Sequence, residues 1–128
     1  MTFARLVFRI AGIWGIVLMT PLFFAYDFIG RSYPPALTHP DIYYGFVGVT
    51  LVWQIAFLII STDPPRYRPM MIAAICEKAI YVVTMTVLYA KGELVFGQFA
   101  VAIPDATLGL LFIAAFVRTE TGRPSRLG

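Results

Sequence analysis

An all-α bundle of four transmembrane helices is the fold this sequence predicts, on three observations. The first is composition: 59% of the residues are hydrophobic and 13% charged, with a mean hydropathy of +0.79. Soluble domains carry roughly 25% charged residues. A chain of 128 residues has too much surface for its volume to hide that excess of apolar side chains from water. The second is the presence of four apolar stretches of about 20 residues, the helical length that crosses a hydrocarbon core roughly 30 Å thick. The third is that turn-forming segments separate those stretches: "GRSYPPALTHPD", "STDPPRYRP" and "AKGE". The length allows a single integral membrane domain over residues 1–128.

The first span covers about residues 3–28. Arg5 and Arg9 ahead of an apolar run resemble a signal peptide, yet the run exceeds a signal's apolar core and no A-x-A cleavage site follows near residue 25. A retained helix is therefore expected. The second span runs over about 42–60, with Thr38 or Asp41 beside Pro40 as its cap. Pro64, Pro65 and Pro69 cannot continue a helix without losing backbone hydrogen bonds, so they separate it from the third span at about 70–89. The fourth span covers about 94–117. Pro104 lies inside it and frees the carbonyl of Ala100, which predicts a kink.

Flanking charge sets the expected orientation. Arg5, Arg9, Arg66, Arg68, Arg118, Arg123 and Arg126 fall on the side shared by both termini and the middle loop, whereas Arg31 and Lys91 fall on the other. The positive-inside rule then puts both termini in the cytoplasm. Tyr26, Tyr33, Tyr43, Tyr44 and Tyr89 gather at the opposite interface, where amphipathic rings belong.

Five polar residues interrupt the spans: Arg9, Gln54, Glu77, Lys78 and Asp105. An ionisable group costs roughly 2.5–3.5 kcal/mol on insertion and usually faces the bundle interior. At about 1.5 Å per residue, Arg9 lies roughly 8 Å from the cytoplasmic ends, Gln54 about 10 Å, Glu77 about 11 Å, Lys78 about 12 Å and Asp105 about 18 Å. All five are thus expected to form one buried polar cluster. Glu77, Tyr81 and Thr84 share a helical stripe, as do Tyr43, Thr50 and Gln54. Gln98, Ala102, Asp105 and Gly109 make a small or polar face suited to close packing, and Gly12 opens the side that carries Arg9. Lys78 sits about 100° from Glu77 around the helix. Glu77 is therefore expected to look inward, toward Arg9 or Gln54, and Lys78 to aim at another neighbour or bend toward the interface. Such a cluster either pairs its charges to fix helix register or lines a pathway or pocket.

The remaining chemistry-bearing residues are read conservatively. His39 and Asp41 in the outer loop are too few for a structural zinc site, which needs four ligands, and a loop or capping role is expected. Cys76 is the only cysteine, so an internal disulfide is excluded, and a buried, inert thiol is expected. Trp14 and Trp53 read as packing or lipid contacts. Glycines at 12 and 15, and at 45 and 48, permit close helix approach, although their spacing is three rather than four. No metal or cofactor motif is present, and no basic stretch interleaved with aromatics suggests nucleic acid.

The stretches "HPDIYYGFVGVTLVWQ" and "DPPRYRPMM", with the "EK" at Glu77 and Lys78, resemble small uncharacterised bacterial four-helix membrane proteins, in a layout similar to DoxX-like inner-membrane proteins. The likeness covers roughly residues 34 to 90. It implies a multi-pass bacterial inner-membrane protein and transfers no catalytic residue. The expected function is a small accessory subunit or a lipid- or small-molecule-binding module, working in the bilayer with a membrane partner or a second copy. Two alternatives stay open. One is an oligomeric proton- or ion-coupled channel or transporter using Asp105 and Glu77. The other is a membrane enzyme on a lipidic substrate, with one of those carboxylates as acid or base.

Overall fold

The computed structural model describes residues 2–119. Arg123 and Arg126, which enter the orientation argument, lie outside the described residues. The chain is all-α: α1 (Phe3–Met19), a 3-10 turn (Thr20–Phe24), α2 (Tyr26–Ser32), α3 (Pro40–Thr62), α4 (Arg68–Ala90), α5 (Phe96–Ala100) and α6 (Ala102–Arg118). No strand occurs among the described residues. Among the described residues, four helical segments are long and apolar enough to cross a membrane: Phe3–Phe24, Pro40–Thr62, Arg68–Ala90 and Phe96–Arg118. Each keeps large apolar side chains outward; Val17, Val49, Ile80 and Leu110 are all more than half exposed. In water that pattern would be a liability, and against hydrocarbon it is the ordinary outer face of a span.

The element boundaries follow local chemistry. Thr2 Oγ1 accepts the backbone N–H of Arg5 at 3.3 Å, capping α1. The first span is shorter than predicted, because the helix tightens to 3-10 geometry where Pro21 enters and α2 restarts after Ala25. Pro69 lies in the first turn of α4, where its missing N–H removes no helical bond. At the other end of α4, Gly92 takes φ +78°. The Gly92 N–H donates to the Tyr89 carbonyl at 3.0 Å and the Glu93 N–H to that of Leu88 at 2.9 Å, which closes a Schellman motif. The fourth span is broken rather than merely kinked. α5 ends at Ala100, the residue whose carbonyl Pro104 cannot serve, and Pro104 falls in the first turn of α6.

Two compact units divide the described residues: Arg9–Ile59, and the residues on either side of that segment. Within Arg9–Ile59, α1 meets α3 through glycine. A Cβ on Gly12 would come within 2.8 Å of the Gln54 carbonyl oxygen, and one on Gly15 would overlap the Gln54 side-chain amide. Small residues let helix backbones approach in lipid, where dispersion rather than water exclusion drives packing. Gly45 and Gly48, in contrast, have open or ordinary surroundings. Beyond Met19, Tyr26, Tyr43 and Tyr44 pack ring on ring with centroids 5.1–5.6 Å apart. The Tyr26 hydroxyl donates to the Leu37 carbonyl at 2.7 Å and that of Tyr43 to the Leu22 carbonyl at 2.6 Å.

In the other unit α4 packs along α6. Phe8 stacks on Phe112 at 4.4 Å between centroids, both fully buried; such pairs add about 0.5–1.5 kcal/mol beyond area burial. Arginines tie one end of this unit together. Arg5 donates to the Thr62 carbonyl at 3.2 Å, Arg68 donates to the Phe116 carbonyl at 3.1 Å and lies over its ring, and Arg118 lies over Phe3.

Candidate functional site between α4 and α6

The buried residues of α4 are Met71, Ala74 and Lys78, spaced by three and four, the period of one helical face. Lys78 therefore points where the apolar stripe points, and its side chain is only 4% exposed. Across from it, a Cβ on Gly109 of α6 would sit 3.2 Å from the Lys78 Cβ. Glycine at that position leaves room for the lysine stem. The stem then carries Nζ to Asp105, donating to Oδ1 at 3.2 Å. Asp105 occupies the first turn of α6, the end of a helix that favours negative charge. The break at Val101 thus creates the helix start that suits an acid at this depth.

Glu77 completes a charged triad. Its Oε2 lies 3.4 Å from Lys78 Nζ, and that oxygen is buried without a hydrogen-bond partner. Two carboxylates share one ammonium. Lys78 aims at another neighbour, as expected, and that neighbour is Asp105, whereas Glu77, expected to look inward, is less buried than Lys78. The α4 face is set by Met71 and Ala74, which point Lys78 inward and leave Glu77 at its margin, 18% exposed. Adjacent residues on a helix do diverge at Cβ, but the lysine stem is long enough to bring Nζ back within ion-pair reach of Glu77. The same stem spans the difference in depth between Lys78 and Asp105.

Beside the pair lies an open apolar groove of about 330 Å³, lined by Ile75, Val82, Ala106, Leu110 and Ile113, with Lys78 and Asp105 among its lining residues. Asp105 remains 24% exposed, while the groove surface itself is almost wholly apolar. Sequence reasoning singled out Lys78, Asp105 and Gly109 but missed the groove. The signal was present: Ala79 on α4 and Ala102, Ala106 and Gly109 on α6 are small, and small residues on facing helices leave either close contact or space.

Gln54 is buried, and its amide donates to the Thr50 carbonyl at 2.8 Å on its own helix. Arg9 is half-buried on α1. Gln54 and Arg9 belong to the Arg9–Ile59 unit, and Glu77, Lys78 and Asp105 to the other. Tyr81 is half-buried, whereas Thr84 and Pro104 are exposed. His39 and Asp41 are exposed in and after the outer loop, and Thr38 Oγ1 lies 2.9 Å from His39 Nδ1. Cys76 is exposed, contrary to the buried thiol expected, because it sits two positions from both Ala74 and Lys78 and so turns away from their face. Among the described residues no group of three or more His, Cys, Asp or Glu is placed to hold a metal ion.

Comparison with protein-family models, curated proteins and solved structures found no match. Four spanning helices with lipid-type outer faces define the class: the chain is a multi-pass integral membrane protein.

Proposed function

We propose that the chain is a non-enzymatic membrane module that holds a lipidic or small apolar molecule in the α4–α6 groove. One observation carries this reading: an open apolar groove of about 330 Å³ runs between α4 and α6, with Lys78 and Asp105 among its lining residues. Ligand sites are of this kind, with mostly apolar walls of roughly 300–1,000 Å³ and a few polar groups that fix orientation. The arginines gathered at one end of the same unit support termini on the cytoplasmic side. A bacterial inner-membrane setting, with the DoxX-like layout, is part of the same proposal.

Native mass spectrometry of protein released from the membranes in which it is made tests the reading. Wild type retains a small-molecule adduct, and Ala106→Leu, which fills the groove, loses it. An adduct of unchanged occupancy in Ala106→Leu would place the ligand elsewhere. A second reading, a proton-carrying site within an oligomer, draws on the presence of two carboxylates beside one ammonium. Proteoliposome proton flux that is equal in wild type and Asp105→Asn would remove it.

A further inference from the structure

We infer that the arginine-bearing end of the unit containing α4 and α6 holds the phosphate of an anionic phospholipid, in a cavity separate from the α4–α6 groove. The cavity measures about 370 Å³. It is lined by Thr2 and Phe3 at the start of α1, Pro64 and Pro65 between α3 and α4, and Arg118 and Thr119 at the end of α6.

The donors of this cavity are uncommitted. Arg118 lies over the Phe3 ring, 4.4 Å from its centroid. A ring covers only the face of a guanidinium, whose N–H groups donate from the edge in the fork that suits phosphate. Among the described residues no carboxylate pairs with Arg118. Thr2 Oγ1 accepts the Arg5 N–H, which leaves the hydroxyl proton to donate. The N–H groups of Phe3 and of Ala4, which also lines the cavity, belong to the first helical turn and find no acceptor within the helix. The helix dipole favours an anion there as well. At the α6 end the acceptors are engaged: the Ala115 carbonyl receives the Thr119 hydroxyl at 2.6 Å, and that of Phe116 receives Arg68 at 3.1 Å.

The surrounding charge favours an anion when every group is counted. Arg5, Arg66 and Arg68 lie at the same end, where Asp63, exposed in the turn, is the acid among the described residues. Arg9 stands one turn further along α1. Glu77, Lys78 and Asp105 lie roughly two and a half turns or more into the spans from Arg68 and Arg118. Lys91 and Glu93 follow the far end of α4. In sequence, residues 120–128 add Glu120, Arg123 and Arg126. Basic groups therefore outnumber acids at this end, and basic pockets between spanning helices take anionic head groups. Phe3 and Arg118 are terminal residues of their spans, the level at which head groups sit. Leu6, Met70 and Val117 beside them are exposed, which suits acyl chains and not water. A phospholipid meets both requirements, whereas a free phosphate meets one.

The test is native mass spectrometry of the full chain in detergent, with dioleoyl phosphatidylglycerol and dioleoyl phosphatidylcholine added in equal amounts. Wild type is expected to hold the anionic lipid about tenfold more tightly. Arg118→Gln brings the two lipids to parity. Arg66→Gln removes the same charge from the same end but not from the cavity, and it keeps the preference. Both side chains are exposed, and a melting temperature equal to that of wild type shows that each variant is folded. Arg118→Lys keeps the charge, loses the flat fork, and falls between wild type and Arg118→Gln. Equal retention of the two lipids by wild type would overturn the proposal. So would an undiminished preference in Arg118→Gln or, where that variant melts early, in Arg118→Lys. Equal losses in Arg118→Gln and Arg66→Gln would overturn it in favour of diffuse surface charge, and a preference lost in Ala106→Leu would move the lipid to the α4–α6 groove. Displacement of phosphatidylglycerol by an equal concentration of inorganic phosphate would overturn the lipid as the source of the phosphate.

Discussion

The α1–α3 contact and the α4–α6 contact use the same device for different ends. In each, a glycine on one helix admits a long polar side chain from the other: Gly15 faces Gln54, and Gly109 faces Lys78. Gln54 is neutral, buried, and bonded back to Thr50 on its own helix, so its amide is satisfied locally and the contact is packing. Lys78 cannot be satisfied that way. It reaches across to Asp105, takes Glu77 as a second counter-charge, and borders an open apolar groove. A membrane interior tolerates a polar side chain cheaply when its own helix offers an acceptor. A charge must recruit partners from elsewhere, and that recruitment builds a site.

The comparison is broken most severely by removing the charge from one contact alone. Lys78→Met leaves two acids without their ammonium and is expected to cost about 3–5 kcal/mol. Denaturant unfolding in detergent reads this. The double variant Lys78→Met with Asp105→Leu recovers most of the loss, since an apolar pair of similar volume replaces a buried ion pair at little cost. Next comes the neutral contact. Gly15→Ala drives a Cβ into the Gln54 amide and destabilises by about 1–3 kcal/mol. Adding Gln54→Ala removes the overlap, so the double variant is more stable than Gly15→Ala alone, an outcome that thermal unfolding checks.

Two smaller changes lie outside both contacts and sharpen the comparison by calibrating ordinary turn losses. Gly92→Ala meets no neighbour within 4 Å but must hold φ +78°, a left-handed conformation that costs about 1–2 kcal/mol with a Cβ. Tyr26→Phe deletes the donor to Leu37 and is expected to lower stability least of these changes, because that hydrogen bond is open to solvent. The Tyr26 hydroxyl titrates above its usual range, first through burial and then through Tyr44, Asp27 and Asp41. Its contribution is therefore complete below the unfolded value near pH 10 and is lost as pH rises through the raised folded value. Unfolding midpoints followed from pH 9 upward should fall in wild type, with that component missing in Tyr26→Phe.

Much of this architecture was legible in the sequence because lipid imposes simple rules. Span lengths, proline-bearing connections and outward apolar faces all follow from hydrocarbon thickness and backbone hydrogen bonding. A disturbance near Ala100 was legible as well, as the kink expected from Pro104, although the helix breaks there outright. Which neighbour Lys78 would reach was not legible, although one other than that of Glu77 was expected. The sequence marks Glu77 and Lys78 equally as charges in an apolar run. Only the buried positions of Met71 and Ala74 decide which of the two faces inward. Estimated depths grouped Lys78 with Asp105, and the two do pair. The groove escaped notice because space is a property of two faces together, and neither face announces it alone.

The most direct test of the central claim, that the charged contact is a ligand site and the neutral one is packing, is the binding stoichiometry of naphthylmethanol in nanodiscs. The account predicts one saturable site per chain in wild type and in Gln54→Leu, and none in Ala106→Leu. A site that survives Ala106→Leu and disappears in Gln54→Leu would contradict it.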